Sequence, residues 1–249
     1  MTPTTAASKM DKAGESVGCR RSIEHRMGKR SSRISPHRIS SPERSPADRS
    51  LDLAELRERA KSCTACELYK HATQTVFGEG PQKARVMMIG EQPGDQEDRH
   101  GRPFVGPAGT LLDRALTAAG IDRKEVYVTN VVKHFKWEPR GKRRIHKKPS
   151  ALEISACRSW LDAEFASIRP QVVVLLGATA VQSLLGRPFL VTQRRGQWVP
   201  SSLAPHVLPT VHPSSILRAE DDKSRQEEFL RFVEDLKPVA ELLRMRKAA

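Results

Sequence analysis

No stretch of about 18 apolar residues occurs in the chain, so no segment is expected to cross a bilayer as a helix. No apolar run follows the start either, which argues against a secretory signal and predicts a cytoplasmic protein. Cysteine is scarce. Four thiols allow two disulfides at most, and Cys63-Thr-Ala-Cys66 is too close-set for a comfortable structural bridge. Inside a cell that spacing points to metal or redox work. Acidic residues are outnumbered: 29 Asp and Glu face 43 Lys and Arg, for a net charge of +14. That excess favours a polyanionic partner, with nucleic acid the leading choice, but does not say which nucleic acid. No internal repeat is visible. The 249 residues leave room for one sizeable α/β domain with tails.

Large apolar side chains are rare over residues 1–50, which carry eleven Lys or Arg against five acids. Such a segment buries too little to offset its ordering entropy. It is predicted to be a disordered basic tail, able at most to add non-specific phosphate contacts. The folded domain is expected over residues 51–245.

Within that domain, Leu51 to Lys61 has helical spacing. Arg85 to Ile89 is an apolar run that predicts a buried strand, and Ala108 to Ala119 predicts a helix stopped at Gly120. Glu125 to Val132, Gln171 to Leu176 and His206 to Val211 predict three more strands. The run at 171–176 is apolar throughout, as in a parallel sheet covered on both faces. Ser150 and Glu153 form a capping box that opens a long helix. Helices are also expected from Gly177 to Leu185 and over about 222–243. A hairpin or short irregular strands are expected over 186–200, and loops at 133–148 and 212–218. Strands alternating with helices predict a doubly wound parallel sheet.

Between the first strand and its helix lies Gly90 to Gly109, GEQPGDQEDRHGRPFVGPAG. Prolines, glycines and acids interleave here without helical or strand periodicity. The composition predicts a loop at the carboxyl end of a strand, where open α/β sheets bind ligands. Three cysteines of the folded part, Cys63, Cys66 and Cys157, are candidate metal ligands. Zinc and a cubane iron–sulfur cluster both want four, so a fourth is needed. His134 is available beside Lys133, although a surface histidine in a basic loop fits the residues equally well. His212-Pro-Ser-Ser on its own describes a turn with a capping serine. Lys142 to His146, KRRIH, on its own describes a solvated face or a phosphate patch.

Together, GExPGxxED at Gly90–Asp98, GRPFVGxAG at Gly101–Gly109, VTNVVK at Val128–Lys133, HPS at His212–Ser214 and the ordered cysteines resemble the family 4 uracil-DNA glycosylases. The resemblance spans about residues 55–240. His134 stands where the family's third cluster cysteine should follow Lys133. An extra Gly-Lys-Arg-Arg-Ile-His segment precedes the last cysteine, and Gln92 lies inside the first motif. These departures resemble the UdgX subgroup, whose members excise uracil and then stay covalently bound to the DNA.

That resemblance implies a three-layer αβα fold around a central, mainly parallel four-stranded sheet. It implies a monomeric DNA-repair enzyme acting on uracil-containing DNA, single- or double-stranded. Phe104 would stack on a flipped uracil, Asn130 would read its edge and His212 would donate to a carbonyl oxygen. His146 would capture the sugar cation, with Glu91 orienting the imidazole. Gln92 and Asp95 would hold the loop and the nearby sugar–phosphate. Lys142, Arg143 and Arg144 would anchor the insertion to phosphates, and Ser214 and Arg218 would face the backbone and the gap. Cys63, Cys66, His134 and Cys157 would hold a structural 4Fe-4S cluster. The alternatives are a conventional glycosylase that turns over and a non-enzymatic binder of uracil-containing DNA.

Overall fold

The computed structural model describes residues 52–245. The expected basic tail and Leu51 lie outside the described residues. The first helix, α1, runs Leu53–Ala60 and buries Leu53, Leu56 and Ala60.

Among the described residues six strands come next in chain order: β1 (Val86–Gly90), β2 (Val126–Asn130), β3 (Trp137–Arg140), β4 (Arg143–His146), β5 (Val172–Leu176) and β6 (His206–Thr210). Four of them make the central sheet in the order β2-β1-β5-β6, every neighbour parallel. Every residue of β1, β2 and β5 is buried, which is what the unbroken apolar runs require of strands covered on both faces.

The helices are α2 (Asp95–His100), α3 (Pro107–Ala119), α4 (Ala151–Ile168), α5 (Ala178–Leu185), α6 (Val191–Arg194), α7 (Pro213–Leu217) and α8 (Asp222–Met245). Because successive strand residues point to opposite faces, the sheet feeds two cores. Val86, Met88, Val128 and Val174 pack with Leu112 and Leu116 of α3 and Phe232 and Leu236 of α8. Met87, Ile89, Val173 and Leu175 pack with Leu56 of α1, Leu161 of α4 and Val181 of α5. This is the expected three-layer α/β architecture. The capping box also forms: Ser150 Oγ accepts from the Glu153 amide at 3.3 Å, and Glu153 Oε2 accepts from the Ser150 amide at 2.6 Å.

Four local expectations are corrected. The stretch 90–109 is not all loop, since α2 forms inside it and α3 starts at Pro107, a residue that tolerates the first helical position. The basic insertion folds into an antiparallel hairpin of β3 and β4, with Trp137 opposite His146 and Gly141 turning at φ +59°. Residues 186–200 form no hairpin. The turn of helix α6 buries Val191 there, and Val199 makes a single bridge to Val207. Residues 213–217 are helical rather than loop, with His212 as the N-cap of α7. No described helix is long and apolar enough to cross a membrane.

The register puts Gly90 beside Asn130, and Leu176 beside Thr210, so the carboxyl ends of the strands finish level. The segments leaving those ends are gathered at one edge of the sheet, where such folds bind ligands.

Candidate active site

A cavity of about 820 Å³ opens at that edge. Glu91, Gln92, Phe104, Asn130, His146, His212, Ser214 and Arg218 all line it, from four separate segments. Asp95, Lys142, Arg143 and Arg144 are not among its lining residues.

Gly90 is the point where three of these side chains meet. A Cβ there would lie 2.9 Å from Phe104 Cζ and 3.3 Å from His212 Nε2, and would run into Asn130 Oδ1. Only a residue without a side chain lets them converge. Phe104 is held at φ +56°, a region that bulky residues rarely enter. Its surroundings impose it. Helix α3 packs Gly109 onto the Phe104 carbonyl so closely that a Cβ would collide. Glu97 accepts from the amides of Gly106 at 2.7 Å and Gly94 at 3.0 Å, clamping the two arms of the loop. The Phe104 ring lies 6.0 Å from the His212 ring at 27°, an offset stack along the cavity.

Asn130 Oδ1 is buried and has no hydrogen-bond partner among the described residues. A buried acceptor left open in this way calls for a donor from a ligand. The Asn130 backbone is braced from beneath, where Lys133 Nζ donates to its carbonyl at 2.9 Å. The same ammonium donates to Thr129 Oγ1 at 2.5 Å and Glu164 Oε2 at 2.6 Å. Glu164 also accepts from the Tyr127 hydroxyl at 2.9 Å and the Gly78 amide at 3.0 Å. Lys133 and Glu164 are fully buried, so each charge depends on the other.

His212 Nδ1 accepts from the Ser214 amide at 3.2 Å and pairs with Ser214 Oγ at 2.8 Å. Arg218 Nη1 donates to that hydroxyl at 3.1 Å. With Nδ1 accepting, the neutral ring carries its proton on Nε2, which faces Gly90 and the cavity. Burial, then the charge of Arg218 and the neighbouring His146, push the His212 pKa down to about 4. The ring is therefore a neutral donor at physiological pH.

His146 ends β4 with Nε2 3.4 Å from Glu91 Oε1, its side chain 49% exposed. Burial lowers its pKa, Glu91 opposes that and Arg218 adds to it, for a net downward shift. The imidazole is thus held neutral beside a carboxylate.

The hairpin that carries His146 is fastened in two places. Gln92 Nε2 donates to the carbonyls of Lys136 and Lys147, both at 3.1 Å, and its Oε1 accepts from the Lys136 amide at 3.1 Å. One side-chain amide thereby ties both legs of the neck. Arg144 donates to Asp95 Oδ1 at 2.5 Å and to Asp98 Oδ2 at 2.6 Å, and sits 5.4 Å from the rings of both Phe135 and Trp137. Arg144, 16% exposed, is thus turned inward onto two carboxylates, and Asp95 helps to hold the hairpin. Lys142 and Arg143 stand exposed at the turn.

A family model described as the uracil DNA glycosylase superfamily matches residues 77–237. The chain belongs to the uracil DNA glycosylase superfamily. It is 41% identical over 170 residues to a type-4 uracil-DNA glycosylase of Thermotoga maritima, covering 68% of this chain and 85% of that one. It is 35% identical over 192 residues to a type-4 enzyme of Sulfurisphaera tokodaii, covering 74% and 84%. It is 37% identical over 175 residues to one of Pyrobaculum aerophilum, covering 68% and 86%.

In this superfamily member the three thiols of the described residues are free. Cys157 is buried, its Sγ accepting from the Lys133 amide at 3.2 Å, and Cys63 Sγ accepts from Trp160 Nε1–H at 3.1 Å. Burial pushes the Cys157 pKa up to about 11 and also raises that of Cys66. His134 is buried and pairs through Nε2 with Thr75 Oγ1 at 2.9 Å, while its Nδ1 has no partner among the described residues. Among the described residues no three His, Cys, Asp or Glu side chains stand together as a metal-holding group, so the four candidate ligands are not assembled as one. Their donor chemistry nonetheless fits a cluster. Two sulfurs accept N–H bonds of the kind that tune iron–sulfur centres, and a ring nitrogen is open while its partner is engaged.

Glu97, Asp98, Lys133 and Arg144 lie inside the sequence motifs but brace the site in ways those motifs do not announce, and Glu164 lies outside all of them. Glu164 left a weaker signal. It falls on the stripe Cys157, Leu161, Glu164, Ile168 that α4 buries, and a carboxylate on an apolar stripe needs a buried partner.

Proposed function

We propose that this protein removes uracil from DNA and then retains the abasic sugar on His146. The observation that carries the reading is one cavity holding an unpaired Asn130 acceptor, a neutral His212 donor and a neutral imidazole beside Glu91.

A uracil flipped from its strand would stack on Phe104. Asn130 Oδ1 would accept from the base N3–H, a match that cytosine cannot offer. As the glycosidic bond breaks, its electron pair passes to uracil N1 and charge gathers on the carbonyl oxygens. His212 Nε2–H would donate to that charge, in the manner of an oxyanion hole. The sugar becomes an oxocarbenium-like cation. A ring nitrogen of His146 would give its lone pair to the anomeric carbon, forming a carbon–nitrogen bond. The positive charge then lies on the imidazole, next to Glu91, until the ring sheds its N–H proton to water. Lys142 and Arg143 would meet flanking phosphates. Cys63, Cys66, Cys157 and His134 would hold a 4Fe-4S cluster of structural use, with no part in the reaction. The protein would act as a monomer inside the cell, with residues 1–50 as an accessory tail.

A second reading keeps the excision and restores turnover, with water in place of His146. The half-exposed imidazole and the type-4 enzymes among its relatives favour it. A denaturing gel of uracil-containing oligonucleotide separates the two. DNA retained at one equivalent per protein supports capture, and many abasic products per protein support turnover. A strand that is neither retained on the protein nor cleaved by alkali would overturn both. On the capture reading, His146→Ser loses the crosslink and releases abasic DNA.

A further inference from the structure

A second cavity, of about 420 Å³, lies between α4 and α5. It adjoins the first, and Lys148 and Thr179 line both. Its volume is that of a small-molecule site rather than a packing defect. The floor is apolar, from Ile154, Leu161 and Leu184. The rim is basic. Arg158 is paired with Asp162 at 2.7 Å, but Lys148 and Arg187 carry no ion pair or side-chain hydrogen bond among the described residues. Two polar side chains on its wall, Ser155 and Gln182, likewise have no side-chain hydrogen bond among the described residues.

An apolar floor, open amide and hydroxyl groups and two unpaired cations match the three parts of a nucleotide: base face, base edge and phosphate. Continuity with the catalytic cavity says where such a nucleotide comes from. A strand with its uracil against Phe104 has to leave that cavity past some wall, and the wall at Lys148 opens into this one. We infer that the cleft between α4 and α5 takes the nucleotide next to the excised uracil on the same strand. The inference rests on the uracil-excision reading. In this subsite the neighbouring base lies on Ile154 and Leu184, Ser155 and Gln182 meet its edge, and Lys148 and Arg187 bind its phosphate.

Two variants test it without touching the catalytic cavity. Ser155→Trp fills the cleft from an exposed position on α4, and Arg187→Glu reverses the rim charge. Each is assayed by single-turnover excision on three single-stranded oligonucleotides, with uracil in the centre, at the 5′ end or at the 3′ end. With central uracil, the protein concentration giving half the limiting rate should rise about tenfold, the scale of one base and phosphate contact, at an unchanged limiting rate. The rise should persist on one end-placed substrate and vanish on the one that lacks the occupying flank. An unchanged half-saturation point, or an equal rise on all three substrates, overturns the subsite. A wild-type protein that excises uracil from none of them overturns the functional reading itself.

Discussion

Gly90→Ala is the smallest change that tests whether the cavity is built as described. The added methyl would stand 2.9 Å from Phe104 Cζ and 3.3 Å from His212 Nε2, and would collide with Asn130 Oδ1. These atoms cannot all retreat. Phe104 is pinned by the carbonyl packed on Gly109, the Asn130 backbone is held by Lys133, and His212 is capped onto Ser214. Overpacking of this kind costs about 1–3 kcal/mol, or roughly 2–12 °C of melting temperature for a domain of this size. The functional loss should be larger than the stability loss. A displacement near 1 Å of groups that must meet one base costs on the order of 10²-fold in rate. The assay is a thermal melt beside single-turnover excision at saturating protein. Alanine should lower the melt modestly and the limiting rate by about 10²-fold. A variant that melts as expected but excises within twofold of wild type would show that Phe104, Asn130 and His212 do not act together on the base.

The depressed His212 pKa makes a stability prediction. The unfolded ring takes a proton near its ordinary value of 6.5, while the folded ring resists until about 4, so its contribution is complete above 6.5 and is lost as pH falls through 4. At most about 3 kcal/mol should disappear over that window in urea titrations, and His212→Gln should remove that part of the slope. The His146 pKa is also lowered, so crosslinking should hold its rate as pH falls to the ordinary histidine value and weaken only below it; a rate that drops already at pH 7 would refute a neutral nucleophile. Anaerobically purified protein should be brown and contain iron, and His134→Ala should lower the iron content; zinc, or unchanged iron in the variant, would remove His134 from the ligand set. Deleting residues 1–50 should weaken DNA binding mainly at low salt and leave excision at saturating protein intact, because phosphate contacts act through counterion release.

The buried sheet was legible because β1, β2 and β5 are apolar runs of strand length flanked by glycine, proline or charge. The cavity lining was legible where it falls in motifs at the end of a strand or in the connection that follows, as Glu91, Phe104, Asn130 and His212 do. The structure made by charge escaped. Helix α2 has glycine at both ends and polar or charged side chains throughout, so no hydrophobic period marks it; the one local signal is Glu97, whose carboxylate reaches back to the Gly94 amide. The hairpin of β3 and β4 escaped because almost nothing in it alternates apolar with polar. Its pairing is enforced from outside, by Gln92, Asp95 and Asp98. Arg144 was indistinguishable from its exposed neighbours Lys142 and Arg143, because a charged residue's partner is chosen in three dimensions.

The two fastenings of the hairpin tie it to the base pocket. Arg144 grips Asp95 and Asp98 of α2, and Glu97 between them clamps the loop that holds Phe104. Gln92, from the same connection, closes the neck of the hairpin. One short polar helix thus supports both, so a change in α2 reaches the hairpin and the Phe104 loop together. On the capture reading, a protein with this layout is a counter, spending one molecule per uracil, and its bound fraction reports the number of lesions directly.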